Sequence, residues 1–392
     1  MPGYPLRLLL FFAVATSVWG AAHGYVARRL TAPWRATPAQ KRCVRVLLVV
    51  ASLLVPVVLF LGHLFPDHVV SGPIRWLAFV EMGAFFLLFV FLIVRDILLV
   101  AATGASRLLH SQPDRERRRF LESASNAVVL GGTGLLGGWG FAEAERLPEI
   151  VEVDVPIAGL PPQLDGYRIA QLSDIHVGPT IKGDDLAAWV ALTNRLQPEL
   201  IAVTGDLVDG YVEDMRAEVA PLADLRAPDG VFFCTGNHEY YWDAAAWTAE
   251  ISRLGLRVLL NEHVLVERSG GRLLVAGCTD YSAHRMVPEA KSDPMAAKRG
   301  APPHDVSILL AHQPRSIFAA ARAGFDLQLS GHTHGGQFFP INLVVGLVQP
   351  FVQGLGKQDD TWIYVNRGTG YWGPPFRTGV PSEITLLRLV RA

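Results

Sequence analysis

Five short apolar runs in the second half of the chain stop abruptly at Asp, Asn or His. "RIAQLSDIH" ends in Asp174 and His176, and "LIAVTGDLVD" in Asp206 and Asp209. "VFFCTGNHE" ends in Asn237, His238 and Glu239, "VSILLAHQP" in His312, and "DLQLSGHTH" in His332 and His334. Runs this short and continuous read as buried strands. They alternate with helical stretches at 184–196, 243–254 and 314–323, an α/β pattern. In α/β sheets, functional groups collect beyond the carboxyl ends of the strands. If these strands lie side by side, all five tips converge on one edge. A lone histidine in any run has an ordinary structural use; five such tips together do not.

The gathered side chains suit a particular chemistry. Asp174, His176, Asp206, Asn237, His312, His332 and His334 offer four imidazoles, two carboxylates and one amide oxygen. That is too many for one ion and fits two ions that share a carboxylate. Mixed nitrogen and oxygen ligation points to Mn, Fe or Zn rather than Ca or Mg. Glycines precede Asp206, Asn237 and His332, where tight strand-to-loop turns tolerate little else.

In order, D-x-H, G-D-x-x-D, G-N-H-E, a lone H and G-H-x-H resemble the calcineurin-like metallophosphoesterase family, across Asp174 to His334. The flanking "GHTHGGQ" and "NRGTGYWGPPFR…PSEI" resemble its bacterial, membrane-anchored branch. The resemblance implies an α/β fold, a two-sheet β-sandwich flanked by helices. It also implies two divalent metal ions. Asp174, His176, Asp206 and His334 would hold one, and Asp206, Asn237, His312 and His332 the other, so that Asp206 bridges. His238 would touch the phosphoryl oxygen or protonate the leaving group. Asp209 and Glu239 would orient ligands through hydrogen bonds, with ordinary turn and capping chemistry as their alternative. The implied reaction is hydrolysis of a phosphodiester or pyrophosphate bond by metal-activated hydroxide, on an envelope lipid or cell-wall precursor. A nucleotide phosphodiesterase or phosphomonoesterase is the rival within the class. A metal-binding membrane scaffold or sensor is the rival outside it, and the complete ligand set argues against that.

The first 145 residues read differently. Half of the 392 residues are apolar, too many for one soluble domain, and the excess lies before about residue 142. Runs at 6–27, 44–65, 74–94 and 124–141 approach the roughly 20 residues that cross a bilayer. Four transmembrane helices are therefore expected, followed by a catalytic domain over 146–392. The first and third loops are rich in arginine, among them Arg28, Arg29, Arg35, Arg117, Arg118 and Arg119, whereas the second loop, around 66–73, has no Lys or Arg. The positive-inside rule then puts the catalytic domain on the extracytoplasmic side of the inner membrane. Arg117-Arg118 followed by a mild apolar stretch also resembles an internal twin-arginine signal, or is simply a membrane anchor. Gly132-x-Gly134-x-x-Gly137 imitates a dinucleotide loop but leaves too little chain for the crossover helix; close packing of a membrane helix explains it. Glu81, Arg95 and Asp96, in or beside the third run, mark a function in the membrane or pair within the bundle.

A net charge of -1 offers no basic footprint for long nucleic acid. The expected partners are the membrane and a phosphorylated small molecule or lipid. Three cysteines form neither a disulfide framework nor a zinc ribbon and are expected to be buried, inert thiols. Tyr240 and Arg377 are candidate substrate contacts, a guanidinium being suited to phosphate. The uncharged run 341–351 is either core or an exposed surface that dips into a bilayer.

Overall fold

The computed structural model describes residues 4–64, 72–108 and 115–392. Part of the expected second loop, 66–71, lies outside them. The chain divides into two compact units, Met1–Phe141 with Gly373–Pro375, and Ala142–Trp372 with Phe376–Ala392.

The first unit is helical: α1 (Tyr4–Thr31), α2 (Pro38–Leu64), α3 (Gly72–Leu108) and α4 (Arg115–Ala144). Among the described residues three segments are long and apolar enough to cross a membrane: Leu9–Thr31, Pro38–Leu61 and Gly72–Ala105. This corrects the expectation of four spans. The fourth helix forms, but its arginines, Asn126, serines and glycines dilute its apolar content below that of a span. It packs along α3. Val129 joins a core with Val26, Phe85 and Leu92, Gly132 lies beside Phe91 and Gly137 beside Leu87, and the Phe141 ring meets Trp76 at 5.7 Å. The glycine motif thus lies within one continuous helix, α4. The charged residues pair inside the unit. His23 Nε2 lies 3.1 Å from Glu81 Oε1, and Asp96 accepts from the Tyr25 hydroxyl at 2.6 Å and pairs with Arg29 and Arg95. Cys43 is exposed, against expectation, because it sits on the outer face of α2; Cys234 and Cys278 are buried.

The second unit is α/β. Its strands are β1 (Glu149–Ile157), β2 (Arg168–Leu172), β3 (Leu200–Val203), β4 (Val231–Phe233), β5 (Arg257–Val258), β6 (Glu262–Arg268), β7 (Gly271–Gly277), β8 (Val306–Leu310), β9 (Leu327–Ser330), β10 (Gly354–Gln358), β11 (Thr361–Val365) and β12 (Glu383–Arg391). They form two six-stranded mixed sheets, in the orders β1-β12-β2-β3-β4-β5 and β10-β11-β9-β8-β7-β6. The helices are α5 (Gly183–Arg195), α6 (Val212–Val219), α7 (Asn237–Tyr241), α8 (Ala244–Arg253), α9 (Pro294–Lys298), α10 (Ile317–Arg322) and α11 (Ile341–Val344).

The alternation of side chains along a strand sorts the core into layers. In β3, Leu200 and Ala202 join a core with Leu273, Val275, Ile308 and Leu329 of the other sheet, so the sheets pack face to face. Ile201 and Val203 point the other way, toward Trp189 of α5 and Trp247 and Ile251 of α8. In β8, Leu309 points outward to Ile317 and Ala320 of α10. Strands covered on both faces read as unbroken apolar runs, which explains the legible pattern in β2, β3, β4, β8 and β9. The five tips come from two sheets rather than one: β2, β3 and β4 run parallel in the first, β8 and β9 in the second. The sandwich still gathers them, because its sheets present their carboxyl ends to the same edge.

Candidate metal centre

Beyond β2, β3 and β9 the backbone turns through a conformation that L-residues avoid. Asp174 (φ 53°), His176 (55°), Asp206 (51°), His332 (72°) and His334 (50°) all have left-handed backbones. Such positions cost on the order of 1–3 kcal/mol each and persist only where the surroundings over-determine them. Here the surroundings are backbone hydrogen bonds between strand tips. Asp174 N donates to Gly205 O at 3.0 Å, and His176 N to Asp206 O at 3.2 Å. The glycines act by two means. Gly205 takes φ +85°, whereas Gly236 and Gly331 are needed for closeness: a Cβ on Gly236 would collide with Asp206 Oδ1, and one on Gly331 with Asp174 Oδ2.

The turned backbones bring the expected ligands together. Asp174, His176 and His334 present ligand atoms within 4.8 Å of one another, and so do Asp206, His312 and His332. His176, Asp206 and His238 form a third such group between them. His176 Nε2 faces His334 Nε2 at 3.2 Å, and His334 Nε2 lies 3.3 Å from Asp174 Oδ1. Asn237, the first residue of α7, is 6% exposed.

The donor set fits cations. The Nδ1–H of His312 donates to Thr204 O at 2.8 Å, which fixes the tautomer and leaves Nε2 a lone pair. That lone pair lies 3.0 Å from Asp206 Oδ2 without a hydrogen bond, and Asn237 Oδ1 likewise has none. Buried oxygens and nitrogens left this way are costly unless positive charge sits among them. The same need shows in the titration of the cluster. Burial opposes a charged His312, yet the Asp206 carboxylate holds its pKa well above the usual imidazole value. Burial also opposes ionisation of Asp206, and His312 and His238 outweigh it, holding the carboxyl well below the usual range. His332 and His334 are pushed down, first by burial and then by neighbouring imidazoles. His332 and His334, held neutral beside the ionised Asp206, are ready ligands for divalent cations, which would displace the proton from His312.

A second layer holds this one. Glu239 is fully buried and accepts from the backbone N–H of Asp206 (3.1 Å), Leu207 (2.7 Å) and Gly236 (2.6 Å). It caps α7 and braces the Asp206 turn at once. Burial, then the Asp206 charge, raises its carboxyl to about 7. Asp209 reaches both His238 Nδ1, at 2.5 Å, and His176 Nδ1, at 3.2 Å. Burial pushes its carboxyl up, but the two imidazoles prevail and hold it far below the ordinary value. We expect Asp209→Asn to weaken metal affinity roughly 10–100-fold, the usual effect of losing such a partner, as read by metal titration of the purified chain.

Arg377 corrects an expectation. It has no exposed surface and so does not reach a solvent-borne phosphate. Its guanidinium donates to the carbonyls of Val380 (2.9 Å), Arg367 (2.9 Å), Gly368 and Gly370, tying up the loop after β11 beside His334. The Tyr240 hydroxyl is paired with Thr235 Oγ1 at 3.2 Å, just beyond β4. Two other aromatics stand at the site: the rings of Tyr241 and Trp372 lie 5.0 and 5.8 Å from that of His238, and both are more than half exposed. Gln337 clamps Trp372 by bonds to its backbone N–H (3.0 Å) and C=O (2.9 Å). Sequence reasoning also passed over Asp280. It is buried and grips Gln313, the neighbour of His312, through both oxygens at 3.1 and 3.0 Å. The signal was present, since "LLVAGCTD" is a sixth apolar run that ends in Asp.

Residues 167–336 match the family model of the calcineurin-like phosphoesterases. A transmembrane protein with metallophosphoesterase domain from Danio rerio is 32% identical over 94% of this chain and 85% of its own. Its counterpart from Bos taurus is 36% identical, covering 80% and 73%. An uncharacterized metallophosphoesterase of Helicobacter pylori (strain ATCC 700392 / 26695) is 36% identical over 69% of this chain and 72% of its own. The Danio rerio relative's match, over 94% of this chain, is long enough to extend through most of the helical unit as well. With the strand-tip cluster in place and relatives matched along most of their length, the chain belongs to the calcineurin-like phosphoesterase family.

Proposed function

We propose that this chain is a membrane-anchored, dinuclear metal-dependent phosphodiesterase. The observation that carries the reading is the pair of ligand groups, Asp174–His176–His334 and Asp206–His312–His332, with a buried, unpartnered Oδ1 on Asn237, whose chain neighbour His238 donates its backbone N–H to Asp206. Two divalent ions held there, Mn, Fe or Zn, would neutralise phosphate charge and lower the pKa of a water. The chain's own residues do the rest. Asp206 is the natural bridge, since it reaches His312 on one side and His238 on the other. His238 is the proton donor to the leaving group. Asp209 holds its Nδ1–H at 2.5 Å, so Nε2 is the atom left for the substrate. Tyr241 and Trp372 offer apolar surface beside His238 for the second esterifying group of a diester. A phosphorylated lipid or cell-wall precursor has such a group, and the candidate membrane spans favour a substrate of that kind.

Full-length protein in detergent, supplied with Mn²⁺, should hydrolyse bis(p-nitrophenyl) phosphate faster than p-nitrophenyl phosphate. A preference for the monoester would sink the diesterase assignment and leave a phosphomonoesterase.

A further inference from the structure

The uncharged run after His334 turns out to be surface rather than core. From Gly335 to Gly356 no side chain is ionisable. Within it, α11 and the single turn that follows expose Ile341, Leu343 (69%), Val344, Leu347 (84%) and Val348, while Val345 alone is buried and pins the segment down. Exposed large apolar residues elsewhere in the catalytic unit are scattered singly or in short pairs, which is normal for a protein surface. A contiguous ledge of this kind is not.

The ledge is built onto the candidate metal centre. Gly336 packs so closely on Asn342 of α11 that a Cβ there would collide with its backbone. Thr333 Oγ1 donates to Val352 O at 2.5 Å, and Gln353 lies against Gly335. The turn that carries His334 and the apolar ledge are therefore one rigid piece. At its far end the exposed Arg315 donates to Val348 O at 2.5 Å, a cation at the rim of an otherwise uncharged face. An apolar face edged by a basic side chain suits a lipid interface, where the arginine meets headgroup phosphates and the apolar residues enter the acyl boundary. The occupant is at hand, because the same chain carries three candidate membrane spans and its catalytic unit never leaves the vicinity of a bilayer.

We infer that the ledge of Ile341, Leu343, Val344, Leu347 and Val348 seats in the surface of the bilayer. The metal-bearing edge would then work at the level of the lipid headgroups, and a lipid phosphoester would reach it without leaving the membrane. The inference rests on the membrane-anchored part of the proposed function and not on which ester is cleaved.

The test uses the full chain with Cys43→Ser, since Cys234 and Cys278 are buried. Leu347→Cys and, in a second variant, Val344→Cys carry an environment-sensitive fluorophore. The reference is Glu267→Cys, on the exposed edge strand β6 opposite Arg272 at the start of β7, the end of the sheet away from the metal centre. Each is reconstituted into vesicles of phosphatidylethanolamine and phosphatidylglycerol doped with a shallow doxyl phospholipid. Several-fold stronger lipid quenching at 344 and 347 than at 267 is expected, with weak quenching by aqueous iodide. Equal lipid quenching at all three positions would overturn the inference. So would shielding of 344 and 347 from both quenchers, which would mean that protein, such as a second copy, covers the ledge. The readout needs no turnover, so it stands or falls separately from the catalytic assignment.

Discussion

Asp206→Asn should reduce phosphodiester hydrolysis on the order of 10³-fold or more while leaving the chain folded. The fold is spared because asparagine matches aspartate in size and is among the residues that best tolerate a left-handed backbone, here φ 51°. The chemistry is not spared. Asp206 Oδ1 accepts the His238 N–H at 2.8 Å and Oδ2 faces His312 Nε2 at 3.0 Å. An amide in its place offers one oxygen and an NH₂ group that repels any cation, and the bridging charge is gone. Lewis-acid stabilisation is worth several kcal/mol, and each 1.36 kcal/mol is about tenfold in rate, which sets the size of the loss. Thermal melts should agree between the two proteins, while metal content and turnover fall. Unchanged turnover would remove Asp206 from the bridging position.

His238→Asn should cost roughly 10²–10⁴ in turnover, the range for a general acid, without loss of bound metal. Burial disfavours the imidazolium, but the Asp206 and Asp209 carboxylates more than offset that and raise its pKa to about 9. A raised pKa means that the proton is held below that value and lost as the pH rises through it. Cations bound alongside bring the value down from there. Turnover should therefore fall with rising pH, with an apparent pKa at or below about 9, and the variant should lack that limb. The loss should be large for an alkyl leaving group and small for p-nitrophenolate, which leaves without help. A variant that lost metal along with activity would make His238 a ligand instead, as its place in the His176–Asp206–His238 group permits.

How far the sequence reveals this follows from where each residue lies. The ligand-bearing strands were legible because they are buried on both faces, so their sequences are unbroken apolar runs closed by a polar tip. β6 and β10 were not. β6, "EHVLVER", is an edge strand with charged ends, joined to β7 by a turn at Ser269 and Gly270, both with positive φ. β10, "GLGKQ", is an edge strand broken by glycines. Edge strands bury too little to carry an apolar signature. Local pattern likewise does not say which sheet a strand joins, and the five tips were divided between two. Arg377 looked like a phosphate contact because composition does not reveal burial. The run 341–351 was open to either reading, since an apolar segment reads the same whether it is inside the core or against lipid. The fourth helix shows the converse: length and periodicity were legible, but hydropathy diluted by glycine was not enough for a span.

The central claim is that turnover depends on two ions held by the strand-tip ligands. It is tested by stripping the full-length protein with a chelator and following bis(p-nitrophenyl) phosphate hydrolysis as Mn²⁺ is returned in measured equivalents. The account predicts almost no turnover in the stripped protein, a rise on metal addition and a plateau at two ions per chain. Full turnover in the stripped protein, or a plateau at one ion, would contradict it.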